Sequence, residues 1–579
     1  MAKRLYNLLV QSRPHIFFIL LACSIIPTTR GGFMFLLDDA FQYPDIFINY
    51  QTIGSQTFAP FLLLLKGLNF WVPGWFLQRI LYIWCLYGLG IVWYNLATYY
   101  IDSRKKWIAV IMWIFLVCNP FVYNRLIYGQ LWVLISMMCI VWLLYALLKY
   151  RDYRDNTYII HSWLWGGISI MRNVQSLFFV WLICLSFILV FWGTFKRHIE
   201  NSLKHLTIFC IIILWLNSVR LVSNFIGDGT LREKAASIAN EDYLLFSTHG
   251  DESIWTNQLL MNWFWKEKYK SHVSPYKQDK QAVMIAILMG LTALFWISYS
   301  IYKNVQNRLT ILWILLAGSL GFILSMGIAG PSWIRTINQF LINTIPFYDS
   351  VREPHKRLQL FVILFGLSYT LGIYVMVEFF YINKYIKTYI IVLFGILPCL
   401  YVPQLFANGH TFMHISEYPD NWYKLKYTLL EQYRADPEKK CDNESCYDVL
   451  VLPRHLYMST SFSQKIINNP AEWFFSPIRI LQWDNIEIWS IYSQSTRKES
   501  KIVEEYFSPI ALSSINQRSI AFIQNFWSIM NSIWIDYLLV LKESNWHSIQ
   551  QPLDLLAKNN QISILTDDTS YILYSVWEK

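Results

Sequence analysis

Two adjacent carboxylates, Asp38 and Asp39, follow the first apolar run in the segment Gly31–Asp45, which also contains Pro44. Carboxylates beside hydrocarbon are costly to desolvate, so their presence there asks for a reason. One reason is general-base chemistry. Another is a divalent cation such as Mg or Mn, held through hard oxygen ligands. The bland alternative is a polar collar at the membrane interface, with Asp39 facing solvent.

A second cluster lies in Ile345–Arg357, where Arg352, His355, Lys356 and Arg357 put three cations and a histidine within six residues, beside Glu353. Arginine forks pair with phosphate bidentately and lysine adds a point charge, so this run suits the phosphate of a lipid carrier. Its plain counterpart is a helix start contacting phospholipid headgroups. A third candidate is Arg125, in the short segment Cys118–Gln130 that also contains Asn119–Pro120. It can pair with Asp38 or Asp39, bind substrate phosphate, or anchor a helix by snorkelling. Arg172, Asn217 and Arg220 stand near the ends of apolar runs and are weaker candidates for the same cavity. In the loop 224–281, His249, Asp251 and Glu252 are of metal-binding type, whereas Trp255, Trp263 and Trp265 fit an interfacial aromatic belt better. There is no phosphate-loop, H-E-x-x-H, G-x-S-x-G or C-x-x-C motif, which argues against ATP-driven pumping by this chain alone.

The elements that must position these residues are membrane helices. The 579 residues are 55% hydrophobic, 18% aromatic and only 15% charged, with mean hydropathy +0.32. Runs of about 20 apolar residues centre on 15–35, 76–101, 107–123, 129–148, 157–172, 177–195, 205–223, 282–302, 309–330, 358–380 and 388–407. These predict about eleven transmembrane helices. Alternate gaps are basic: Lys3/Arg4/Arg13, Arg104/Lys105/Lys106, Lys149/Arg151/Arg154, Lys196/Arg197/Lys204, Lys303/Arg308 and Lys384/Lys387. The positive-inside rule places them, and the N-terminus, in the cytoplasm. Outer loops are then 36–75, 224–281 and 331–357. No cleavable signal peptide is evident, and residues 58–75 read as a helix lying at the interface.

The polytopic domain is expected to cover 1–408, ending near Asn408–Gly409, and a soluble extracytoplasmic α/β domain 409–579. That tail holds 15 Lys+Arg and 20 Asp+Glu, net −5 against +10 for the whole chain, so residues 1–408 carry +15. These cations sit in short gaps between apolar runs, where orientation and anionic lipid explain them and nucleic acid does not. In the tail, strands are predicted at 449–452, 478–481, 486–492, 537–541 and 571–576, and helices at 421–433, 510–534 and 549–558. Cys441 and Cys446 have the spacing of a local disulfide in an oxidising compartment, and Asn443 begins a glycosylation sequon. The other cysteines lie in apolar runs and behave as small hydrophobes.

The layout resembles the GT-C class of membrane glycosyltransferases, which take sugar from a polyprenyl-phosphate donor. The segments Asn119–Tyr123, Gly129–Gln130, Pro346–Phe347 and Arg352–Lys356 are also similar to a set of large prokaryotic membrane proteins considered GT-C relatives. The resemblance spreads over residues 30 to 460. It implies a cell-membrane enzyme that transfers sugar by inverting displacement at the outer face to an envelope glycan, lipid or glycoprotein acceptor. Asp38 or Asp39 would deprotonate the acceptor hydroxyl. Arg352, His355 and Lys356 would neutralise the departing lipid phosphate, with Arg125 and Glu353 also in the substrate site. No W-W-D-type acceptor motif is present. The alternatives are a transporter or flippase of lipid-linked glycan, which would also need a cationic outer cavity, and a non-catalytic envelope scaffold.

Overall fold

The computed structural model describes residues 2–28, 30–38, 59–101, 108–153, 155–172, 175–191, 207–208, 211–212, 253–261, 280–302, 308–344, 353–379, 383–407, 413–435, 447–483, 487–488, 491–492, 498–507, 515–543 and 546–576. Asp39, Arg352, Asn217, Arg220, His249, Asp251, Glu252, Trp263, Trp265, Cys441, Asn443 and Cys446 lie outside them, as does most of the predicted span 205–223. The chain forms two compact units. One comprises Met1–Thr28 with Arg79–Phe412, the other Thr29–Gln78 with Met413–Lys579. The segment predicted as the first outer loop thus groups with the C-terminal residues.

The first unit is built from apolar helices: α1 (Ala2–Ile25), α2 (Gly74–Tyr100, whose first turn belongs to the other unit), α3 (Ala109–Val117), α4 (Pro120–Ile127), α5 (Leu131–Tyr153), α6 (Asn156–Arg172), α7 (Gln175–Val190), α8 (Lys280–Tyr302), α9 (Arg308–Ser325), α10 (Ser332–Thr344), α11 (Leu358–Phe379) and α12 (Lys384–Tyr401). Four helices among the described residues are long and apolar enough to cross a membrane: Gly74–Tyr100, Leu131–Tyr153, Lys280–Tyr302 and Pro354–Glu378. This is a membrane protein. Arg13–Ile25, Ser176–Val190, Leu309–Ser325 and Tyr385–Tyr401 are shorter apolar helices.

The predicted span 107–123 is not one straight helix. α3 and α4 meet at a 48° bend. Pro120 has no backbone N–H to continue α3, and Asn119 recaps both ends of the break. Its Oδ1 accepts from the Val122 N–H at 3.0 Å, and its Nδ2 donates to the Leu116 and Phe115 carbonyls at 2.6 and 3.1 Å. Elsewhere, close helix approach depends on small residues. A Cβ on Gly372 of α11 would strike the Thr292 backbone of α8.

The second unit contains the helix Ala59–Asn69 and a five-stranded sheet. Its strands, in chain order among β1 (Phe33–Met34), β2 (Ile415–Ser416), β3 (Val449–Leu452), β4 (Tyr457–Ser459), β5 (Ile466–Asn468), β6 (Ile480–Leu481), β7 (Glu487–Ile488), β8 (Ile491–Tyr492), β9 (Tyr537–Leu541), β10 (Ile562–Asp567) and β11 (Tyr571–Val576), are arranged β10-β11-β9-β3-β6. The β10/β11 and β11/β9 pairs are antiparallel, while β9/β3 and β3/β6 are parallel. Both faces of the centre are apolar, as a covered parallel core requires. Val449, Val451, Leu539, Leu541 and Leu573 pack on one side with Trp422, Leu425 and Leu429 of α13 (Asp420–Ala435). Leu450, Leu452, Leu538, Val540 and Ile572 pack on the other against α14 (Lys498–Phe507), α15 (Ile515–Ser532) and α16 (His547–Lys558). The result is helix, sheet and helix in three layers.

Candidate functional site

Asp38 is carried by a strand laid into the second unit. β1 pairs antiparallel with β2, Phe33 opposite Ser416 and Met34 opposite Ile415. Gly32, at φ +99°, permits the approach, since a Cβ there would lie 2.6 Å from the Ser416 carbonyl oxygen. The edge is closed by the Gln78 amide, which accepts from the Met34 N–H at 2.9 Å and donates to the Met34 carbonyl at 2.8 Å. The next links are Phe35 N–H to the His414 carbonyl at 3.1 Å and Asn468 N–H to the Leu37 carbonyl at 2.9 Å. Residues 33–37 are all buried, and Phe35 packs edge-on to Tyr418, with ring centroids 5.1 Å apart. The chain therefore delivers Asp38 to the rim of the β4–β5 hairpin. There the Tyr457 hydroxyl donates to Asp38 Oδ1 at 2.8 Å.

The same unit holds a lysine with unusual chemistry. Burial pushes the Lys465 ammonium down to about 8. His414 is also held below its ordinary value, by burial first and then by the charge of Lys465. Lys465 directly precedes β5, whose Asn468 bonds the Leu37 carbonyl. Neither Tyr457 nor Lys465 stands out in the sequence: each is a single residue in a short run with no motif around it.

The cationic cluster belongs to the first unit. Pro354–Arg357 form a 3-10 turn that leads directly into α11. The turn bends Lys356 back onto Glu353, Nζ to Oε1 2.9 Å, while His355 Nε2 lies 3.5 Å from Glu353 Oε2. Glu353, His355 and Lys356 are thus brought together. His355 is buried, whereas Lys356 and Glu353 keep partial access to solvent. Arg357 turns inward instead. Its Nη1 donates to the Leu324 carbonyl and to Asn338 Oδ1, each at 3.0 Å, and its guanidinium lies 5.3 Å from the Phe178 ring centroid. It ties α9, α10 and α7 to the start of α11, a structural task that the basic run in the sequence conceals.

Arg125 is fully buried in α4. Its guanidinium bonds the Gln130 side chain and sits 4.9 Å from the Phe121 ring centroid. Every residue of α4 is buried, so Arg125 lies in the interior of the first unit and does not snorkel. Arg172 ends α6. Trp255 stacks obliquely near Phe322, with centroids 6.0 Å apart. Among the described residues, no group of three or more His, Cys, Asp or Glu side chains could hold a metal ion.

No protein-family model matches this sequence, and no curated protein sequence matches it. The chain is similar to the crystal structure of ArnT from Cupriavidus metallidurans bound to undecaprenyl phosphate, at 10% identity, with 99% of this chain and 98% of that one covered and a TM-score of 0.33.

Proposed function

We propose that this protein is a membrane glycosyltransferase that moves a sugar from a polyprenyl-phosphate donor to an envelope acceptor at the outer membrane face. The observation that carries the reading is the 3-10 turn Pro354–Arg357, which presents Lys356 and His355 over Glu353 at the start of a helix long enough to cross a membrane. Lys356 and His355 share the single carboxylate of Glu353, and a lipid phosphate is the further anion that a membrane surface supplies to such a pair of basic groups. Lys356 is assigned to the departing phosphate, with His355 and Glu353 setting its position. Arg352 joins them by its place in the chain, one residue before Glu353.

Asp38 is assigned the acceptor proton, with the Tyr457 hydroxyl fixing its orientation. The acceptor oxygen bonds the anomeric carbon as the bond to the donor phosphate breaks. The proton passes to the Asp38 carboxylate, and polyprenyl phosphate leaves with the electron pair. The test is conversion of radiolabelled polyprenyl-phosphate-sugar by membranes containing the chain. Free polyprenyl phosphate and a labelled acceptor should appear together, and an unchanged donor pool contradicts the reading.

A further inference from the structure

A groove of about 660 Å³ runs between α1, α2, α3 and α12 in the first unit. That volume lies within the range of small-molecule and cofactor sites, about 300–1,000 Å³. Its walls are Phe17, Tyr94, Ile114, Val392 and Ile396, with Arg13 as the one charged lining residue among the described residues. Arg13 stands one helical turn before Phe17, so the two share a face of α1. Phe17, Val392 and Ile396 are each more than 40% exposed, although Ile111 and Ile391 beneath them are buried. An apolar channel with one cation at its end and, among the described residues, no carboxylate in its lining is complementary to an amphiphile with a single anionic head.

The cation's side of the membrane selects the amphiphile. Lys3, Arg4 and Arg13 make this end of α1 cytoplasmic by the positive-inside rule, and the cytoplasmic leaflet carries the anionic glycerophospholipids. We propose that the groove is a binding site for an anionic glycerophospholipid, with its phosphate on Arg13 and one acyl chain along Phe17, Ile114, Val392 and Ile396. This site is separate from the one assigned to Lys356 and rests on membrane placement alone, not on any role of Asp38.

The full-length chain, purified in detergent, is incubated with equimolar palmitoyl-oleoyl phosphatidylglycerol and phosphatidylcholine, and retained lipid is counted by native mass spectrometry. Wild type should retain phosphatidylglycerol about two- to five-fold over phosphatidylcholine. Arg13→Ala should abolish that preference and Arg13→Lys should keep most of it, which separates lost charge from lost fold. Ile396→Trp, which fills the groove from an exposed position, should reduce retention of both lipids. Equal retention of the two lipids by wild type, an unchanged preference in Arg13→Ala, or displacement of phosphatidylglycerol by equimolar undecaprenyl phosphate would each overturn the assignment.

Discussion

The Tyr457 hydroxyl donates to Asp38 Oδ1 at 2.8 Å, across 419 positions of the chain. The bond exists because β1 is paired with β2 and bracketed by Gln78, so that Asp38 emerges beside the β4–β5 hairpin. It gives the proposed general base a fixed orientation from a residue remote in sequence.

Tyr457→Phe removes that donor and leaves the ring. A single hydrogen bond to a charged group contributes about 1.5–3 kcal/mol. Sugar transfer should therefore fall roughly ten-fold or more, while the melting temperature of the purified chain changes little. If activity and stability fall together, Tyr457 is a packing residue only.

Lys356 and Arg357 are adjacent and should behave oppositely. Lys356→Ala is expected to raise KM for the lipid-linked donor, with the membrane yield of folded protein unchanged. Arg357→Ala strips a buried guanidinium from the Leu324 carbonyl and Asn338. It should cost about 1–3 kcal/mol for each buried acceptor left unpaired and show as loss of folded protein in detergent. Fluorescence-detected gel filtration of both variants, beside donor-dependence kinetics, checks the pair; a reversed pattern refutes the division of roles.

The second unit should show a pH signature. The folded chain releases the Lys465 proton near pH 8 and the unfolded chain near 10.5. Between these values the unfolded state holds more protons, so this group's penalty on folding shrinks as pH rises through the window. Below pH 8 the penalty is present in full. Lys465→Met should thus stabilise the unit at pH 7, by on the order of 1–3 kcal/mol, and flatten the rise between pH 8 and 10.5. Chemical denaturation followed across that range reads both effects.

Trp422 is fully buried and stacks on Phe475, with centroids 5.4 Å apart and rings 17° from parallel. Trp422→Ala should destabilise the second unit by about 3–5 kcal/mol. A loss below about 1 kcal/mol would mean that this cluster is not its core.

In the second unit β3, β9 and β11 fall on the predicted runs 449–452, 537–541 and 571–576, which are short apolar stretches between polar ones, whereas α14, β10 and the β4–β5 hairpin are not predicted, their residues being more polar. β1 and β2 are two residues each and have no period. Their pairing depends on Gly32 and on Gln78, a contact between distant segments that no local pattern announces. The bend at Asn119–Pro120 was foreshadowed by the residues themselves, since a proline preceded by a capping side chain is a helix start. What remained hidden was the direction of each charged side chain. Lys356 and Arg357 are indistinguishable by composition, yet the tight turn sends one to Glu353 and the other into the protein.

The central claim is acceptor activation by Asp38 in a sugar transfer from polyprenyl phosphate. The most direct measurement is transfer of radiolabelled sugar from polyprenyl-phosphate-sugar to endogenous acceptors, using membranes with matched amounts of wild type and Asp38→Asn. Transfer by wild type, and a loss of about a hundred-fold or more in Asp38→Asn, is the predicted result. Equal transfer by both proteins, or none by wild type, would contradict it.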